Sequence, residues 1–344
     1  MNRHALIKVA LNALSLARAP LWLPRVADAA GFVVTLHHVR PARSEAFDPN
    51  ALLSVTPEFL DRFITRFTGL GWRFVSVDDI VARGMPPQAK SVAITLDDGY
   101  RNNFEQALPV FQRHAVPFTI YVCPGFAERT SELWWEALER IIRAADAVRA
   151  PGADSASPLS ARTPAEKLSA FHAWRAWLTT VADETEQRVA IRALATEHGL
   201  DVASLARELV MDWEETRTIA ANPLCTIGAH TMTHAALARL SPKAAFQEIA
   251  GSIERIAAEI GKRPTTMAFP YGYPAAAGSR EAELAKQAGL VASFMTQPGY
   301  VPGAASRHGL PRVSINGLFQ DVRFLEMLLT PGLWKLRDRI RKRR

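Results

Sequence analysis

Two adjacent carboxylates, Asp97 and Asp98, close the apolar run in AITLDDGYRNNF and are followed at once by glycine. Like charges that close repel, and burial makes each harder to ionise. An Asp-Gly turn at the surface tolerates them easily, so the pair alone signals no more than the end of a strand. A second pair of residues adds to it. IGAHTMTH places His230 and His234 four apart, a spacing with which one face of a helical turn can grip a metal ion. In a chain with nine histidines that spacing is a weak signal by itself, and two histidines at a helix start would be the plain alternative. A carboxylate, however, completes a two-histidine, one-carboxylate set. Such a set suits a divalent transition metal, with zinc the first choice and cobalt, nickel or manganese the other candidates. Three protein ligands leave a position open for water and substrate, the pattern of a catalytic site. One aspartate then serves as ligand and the other is free to act as general base. The cation makes two ionised carboxylates tolerable, and the closeness of the two groups couples their titrations.

Other polar residues occupy the same kind of place. His37 and His38 follow VVTL, Tyr271 follows AFP, and Arg312 lies in LPRVSI. The elements that must position them read as alternating strands and helices. GFVVTLHHV, SVAITLDD, PFTIYVCPG, CTIGAHT, TTMAFPYG, VASFMT and LPRVSI are the strands. They are continuous apolar runs, as expected of a parallel sheet buried on both faces. TPEFLDRFITRFTGLG, NNFEQALPVFQRHAV, SPKAAFQEIAGSIERIAAEIG and SREAELAKQAGL are the helices between them, Thr56 capping the first and Pro57 suiting its first turn. Residues 131–222 contain no convincing strand and read as a helical insertion, with a flexible break at 151–164. Seven or eight strand–helix units predict an α/β barrel whose active residues gather at the C-terminal strand ends.

The chain of 344 residues is 48% hydrophobic and 22% charged, ordinary for a globular protein, with a net charge of +7. Cys123 and Cys225 form no metal-binding or disulfide pattern and read as buried thiols. Residues 1–30 read as an amphipathic helical segment that packs on the domain or touches a membrane surface. Lys8 and Arg18 interrupt any long apolar stretch, so a cleaved signal peptide fits poorly. Residues 321–344 form a basic helix or tail. It is either solvated or, with Leu333, Trp334, Leu336 and Ile340 interleaved, rests on an anionic membrane. The placement expected from this is cytoplasmic, or peripheral to the inner membrane, with no nucleic-acid partner.

TLDDGYRNN, IGAHTMTH and AFPYG, in that order, resemble the successive motifs of the polysaccharide deacetylases, the NodB-homology family that includes chitooligosaccharide deacetylase. The resemblance covers roughly residues 31–130 and 222–316, and LHHV, LWWEALE and LPRV are similar to a branch found among exopolysaccharide and nodulation-type enzymes. It implies a distorted (β/α)7-type barrel and a metal-dependent hydrolase that removes N-acetyl groups from N-acetylhexosamine residues of a poly- or oligosaccharide. By position, Asp97 resembles the family's base and Asp98 its first metal ligand, with His230 and His234 the other two. Tyr271 resembles the residue whose backbone N–H helps hold the oxyanion.

The chain departs from the family pattern in two places. Ala268 stands where an arginine often precedes the Pro-Tyr pair, which makes Arg312 the candidate to orient Asp97; the alternative is a surface arginine. The late histidine that acts as general acid is not evident, leaving His37, favoured by its strand end, or His308 in SRHGLPR. His38 reads as structural. Trp134 and Trp135 are candidate sugar-stacking residues, with packing as the plainer role. A related hydrolase on another C–N or ester bond, or a catalytically silent glycan-binding module, would share much of this pattern.

Overall fold

The computed structural model describes residues 3–23, 29–83, 90–152, 157–302 and 307–341. Seven strands carry its main sheet: β1 (Ala29–Leu36), β2 (Ser91–Asp97), β3 (Phe118–Val122), β4 (Cys225–Ala229), β5 (Thr266–Ala268), β6 (Ala292–Phe294) and β7 (Val313–Ser314). They run parallel in the spatial order β6-β5-β4-β3-β2-β1-β7. The short strand Arg73–Phe74 adds parallel to the start of β2, and Val301–Pro302 adds antiparallel to the start of β1. Leu310 bridges to Phe294 of β6, and the Arg312 N–H reaches Gln297 O at 3.2 Å, immediately before β7 joins β1. These contacts tie the two edges of the sheet together, so it curls into a distorted barrel.

Alternation along the strands sorts the side chains. Val92, Ile94 and Leu96 of β2 face the outer core shared with the helices. Ala93 faces the interior with Val33, Tyr121, Ala268 and Phe294, and by the same period of two so do Thr95 and Asp97. The outer helices follow their local signals. The N-terminal helix α1 (Arg3–Leu16) lies outside the barrel; α2 (Pro57–Gly69) is capped by Thr56, whose hydroxyl accepts from the Phe59 N–H at 3.1 Å. Before α3 (Leu108–His114) the chain winds as a π-turn over Asn103–Ala107, next to Pro109, which has no N–H to donate to a regular ladder.

Between β3 and β4 the chain leaves the barrel for α4 (Trp134–Ala144), α5 (Pro164–Thr180), α6 (Glu184–Glu197), α7 (Val202–Leu209) and α8 (Trp213–Ala220). Reciprocal capping boxes start α5 (Thr163 with Glu166), α6 (Asp183 with Glu186) and α8 (Asp212 with Glu215). One antiparallel ladder, Ala147–Val148 with Leu159–Ser160, interrupts a stretch that the sequence reads as strandless. The break expected at 151–164 falls partly on residues 153–156, outside the described set. These helices share a core of their own, in which Trp135, Trp174 and Phe171 meet Tyr100 and Phe126 from the barrel side. After β4 come α9 (Pro242–Ile260), capped by Ser241 and ended by Gly261 at φ 72°, then α10 (Ser279–Gln287), α11 (Val322–Leu328) and α12 (Pro331–Arg341). Among the described residues no helix is long and apolar enough to cross a membrane. Residues 342–344 of the basic tail lie outside the described set.

Candidate active site

Parallel register brings the C-terminal ends of the strands together: Leu36 pairs with Leu96, Asp97 with Tyr121, Val122 with Ala229, and Ala268 with Phe294. The residues that follow therefore meet at one mouth. Asp97 is 2% exposed and Arg312 fully buried, and they face each other as a fork: Nη1 to Oδ1 and Nη2 to Oδ2, both 2.7 Å. Arg312 is fixed in turn by Met295 O at 3.1 Å and Thr95 Oγ1 at 3.1 Å, and Thr35 Oγ1 donates to Asp97 Oδ2 at 3.3 Å. Burial by itself would raise the Asp97 carboxyl. The Arg312 charge, the charges of His230 and His37 and the hydrogen bonds from Arg312 together outweigh it and hold the group below the usual carboxylate range. Arg312 is thus an interior residue of the barrel, not a surface arginine.

Asp98, His230 and His234 form the second group. Asp98 Oδ1 is buried, has no hydrogen-bond partner, and lies 3.4 Å from His230 Nε2 and 3.3 Å from His234 Nε2. Three donors each about 2.0–2.1 Å from one ion in tetrahedral array stand roughly 3.3 Å apart, so the residues present fit a divalent metal. His230 Nδ1 is 2.8 Å from Ala268 O, a bond that requires the proton on Nδ1 and leaves the Nε2 lone pair free. Burial lowers His234, keeping it neutral, as a ligand must be. At His230 burial also lowers, but the hydrogen bond and charge of Asp98 and the charge of Asp97 outweigh it and raise the imidazole.

The histidine pair does not ride on a helix, as its spacing suggested. It lies on an irregular loop in which Thr231 and His234 have φ values of 59° and 62°. Glu248 of α9 holds that loop, its carboxylate accepting from the Thr233 N–H and Oγ1 at 2.8 Å each, and Arg188 of α6 donates to Thr233 O at 2.7 Å. Among the described residues seven non-glycine positions have positive φ, and Asp98, Thr231, His234 and Tyr271 are four of them. Strain of this kind persists where the surroundings over-determine it, and here it is gathered at the mouth. Gly99, at φ 70°, continues the Asp98 turn. A Cβ there would meet Val122 at an ordinary 3.7 Å, so the backbone angle, not crowding, is what asks for glycine.

Tyr271 sits in a three-residue turn closed by the Gly272 N–H on Pro270 O at 2.6 Å, with φ 60°. Thr296 pins that turn, its hydroxyl donating to Tyr271 O at 2.7 Å and its N–H to Gly272 O at 2.9 Å. The Tyr271 ring meets His234 edge-on at 4.9 Å, and its hydroxyl accepts from Trp134 Nε1 at 2.8 Å. Trp134 and Trp135 are both buried. Trp135 is anchored on Tyr100 OH at 2.9 Å and packs against Phe126 and His234. Their burial gives the two rings the plainer of the two roles expected of them, packing, Trp135 against His234 and Trp134 on the Tyr271 hydroxyl.

His37 is half-buried, near enough to Asp97 and Asp98 for its charge to depress both carboxyls. His308 is elsewhere. It contacts Ser293 at 3.4 Å, has Lys286 and Glu283 of α10 as its charged neighbours, and lines a groove that shares none of the side chains of the mouth. His38 is fully buried, stacked on Tyr100 with ring centroids 3.5 Å apart. Its surroundings assign its tautomer. The Val39 N–H donates to Asn102 Oδ1 at 3.0 Å, so Asn102 Nδ2 donates to His38 Nδ1 at 2.8 Å, and His38 Nε2 donates to Glu136 Oε1 at 3.1 Å. Asn103 Nδ2 adds a bond to His37 O at 2.7 Å. Sequence reading missed Thr35, Asn102, Asn103 and Glu136; only the adjacency of the two asparagines to Asp-Asp-Gly hinted at them.

Residues 84–293, more than half of the chain, match the family model described as polysaccharide deacetylase. No curated protein matches. Among solved structures, the Streptococcus pyogenes deacetylase PplD in complex with acetate aligns with a TM-score of 0.54 at 16% identity, over 87% of this chain and 98% of that one. The de-N-acetylase from Aggregatibacter actinomycetemcomitans aligns with 0.54 at 16%, over 87% and 99%. IcaB from Ammonifex degensii aligns with 0.53 at 16%, over 88% and 99%. At these identities the likeness is one of fold.

Proposed function

The chain belongs to the polysaccharide deacetylase family, and from that footing we propose that it hydrolyses N-acetyl groups from N-acetylhexosamine residues of a poly- or oligosaccharide, with chitooligosaccharides the first substrates to try. The observation that carries this reading is the pairing of two differently partnered carboxylates at one mouth: Asp97 forked on Arg312, and Asp98 set against two imidazoles. Binding sugar alone needs no such division.

Asp98, His230 and His234 would hold a divalent ion, zinc first. When bound, it would supply Lewis-acid polarisation of water and of the acetamide carbonyl. Asp97 takes the proton from the attacking water. Arg312 keeps Asp97 ionised at neutral pH and fixes the carboxylate plane, leaving the lone pairs outside the fork to accept that proton. The Tyr271 backbone N–H donates to the acetamide oxygen as it gains charge. His37 protonates the amine nitrogen as the C–N bond breaks, so that acetate and a free amino sugar leave. Asn103, Asn102 and His38 hold the backbone that carries His37.

Acetate release from acetylated chitooligosaccharides tests the reading, with chelator abolishing it and zinc restoring it. His37→Ala should lower turnover by roughly 10²-fold while keeping the metal, and His308→Ala should stay close to normal. Release from esters but not from acetamides would indicate a related hydrolase. Glycan binding with no release at any metal loading would indicate a silent module.

A further inference from the structure

The positive charge of this chain is not spread evenly. Residues 1–23 and 331–344 hold ten Lys or Arg and one acid, whereas the rest of the chain has 31 basic and 33 acidic residues. Exposed apolar side chains gather in the same two segments. Leu6, Val9, Leu16 and Trp22 near the N-terminus, and Leu336 and Ile340 on α12, are all at least 40% exposed, Leu16 by 83%. Lys8, Arg18 and Arg339 are exposed among them.

Both segments lean on α11. Leu11, Ala19 and Leu23 form a small core with Phe324 and Met327, and Leu14 and Leu333 pack against it. Each helix therefore buries one face and leaves the other to solvent. Trp334 seats α12: it is buried, and its Nε1 donates to Leu328 O at 2.7 Å. The platform is fixed to the barrel through an ion pair of 2.7 Å between Arg66 of α2 and Glu326 of α11.

We propose that α1, the turn that follows it and α12 form a docking face for an anionic lipid bilayer. The exposed Leu, Val, Ile and Trp side chains enter the boundary between headgroups and acyl chains, while Lys8, Arg18 and Arg339 meet the anionic headgroups. A second copy of the chain would bring charge of the same sign to this face, and nucleic acid would use the cations but not the apolar side chains. The proposal stands apart from the chemistry at the barrel mouth.

The test is flotation of the full chain with vesicles of phosphatidylcholine alone or with about one-third phosphatidylglycerol, at low and high salt. Binding is expected only with the anionic vesicles, and weakened tenfold or more at high salt. Arg339→Glu and Lys8→Glu should each weaken it by about fivefold or more. Leu16→Glu and Leu336→Glu should abolish it, with unchanged circular dichroism melts showing that these exposed substitutions leave the fold intact. Acetate release from a soluble oligosaccharide reads the deacetylase activity separately. Any of four results would overturn the proposal: no binding at low salt, equal binding to neutral vesicles, tighter binding to duplex DNA than to anionic vesicles, or a dimer that Leu336→Glu separates without any effect on lipid.

Discussion

Two pairs of acids are buried to the same degree in this molecule and end in different charge states. Asp97 and Asp98 at the barrel mouth are each 2% exposed, and Glu136 and Glu139 on α4 are 5% and 3% exposed. Burial raises all four. At the mouth each acid has a buried counterpart, Arg312 for Asp97 and the two histidines for Asp98, and both carboxyls lie below the usual range. On α4, Glu136 has buried His38 and is likewise lowered. Among the described residues the cations that pair with Glu139 are Arg43 and Arg143, whose side chains are 32% and 31% exposed; buried Arg40 lowers it less than Arg43 does, and its Oε2 has no hydrogen-bond partner. Burial, followed by repulsion from Glu136 and Asp48, pushes it to about 7. The difference teaches that burial does not decide the charge of an acid here. What decides is whether the opposing charge is shielded from water with it.

The largest effect should come from separating the two aspartates. Asp97→Asn should cut acetate release by on the order of 10³-fold at any metal concentration, because an amide cannot accept the proton, while metal content stays full. Asp98→Asn should lower metal affinity by roughly 100-fold and recover part of its activity in excess zinc. Metal analysis and acetate release on both variants check this, and equal metal loss in the two would end the division of roles.

Arg312→Met tests the fork itself. It leaves Asp97 buried without its cation and should cost about 3–5 kcal/mol in denaturant unfolding, part of it recovered in the double variant with Asp97→Asn. The sign with pH follows from the lowered Asp97 carboxyl. Its contribution is complete above the ordinary aspartate value and is lost as pH falls through the folded value, so the gap between wild type and variant should narrow in acid. A gap independent of pH would mean that packing, not charge, is what Arg312 provides.

Glu139 should show the opposite sign. Its folded value near 7 favours the protonated form, so stability is greatest below the ordinary glutamate range and falls as pH rises toward 7. Glu139→Gln should remove that slope and leave the variant the more stable at pH 8, by about 3 kcal/mol at most. Unfolding curves at pH 5 and pH 8 suffice, and a variant less stable at pH 8 would show that Arg43 and Arg143 compensate after all.

Much of this site is legible in the sequence because the signals are local. The apolar runs, Asp-Asp-Gly, the His-x3-His spacing and Pro-Tyr-Gly each sit within a few residues, and parallel strands bring their following residues to one end of the sheet whatever lies between. The family resemblance adds the roles. What lies between decided the rest. Arg312 reaches Asp97 across 215 residues, Glu136 reaches His38 across 98, and Trp134 reaches Tyr271 across 137. A tryptophan pair reads the same in sequence whether its rings face a sugar or a neighbouring helix, and only the packing of α4 over the mouth buried both. The same holds for Glu139, whose charge depends on how much water reaches Arg43 and Arg143. Composition can place the cations at the two ends of the chain, but only the packing of α1 and α12 on α11 selects which apolar side chains stay exposed beside them. Burial and long-range pairing are properties of the folded surface, set by every element at once, and no window of the sequence contains them.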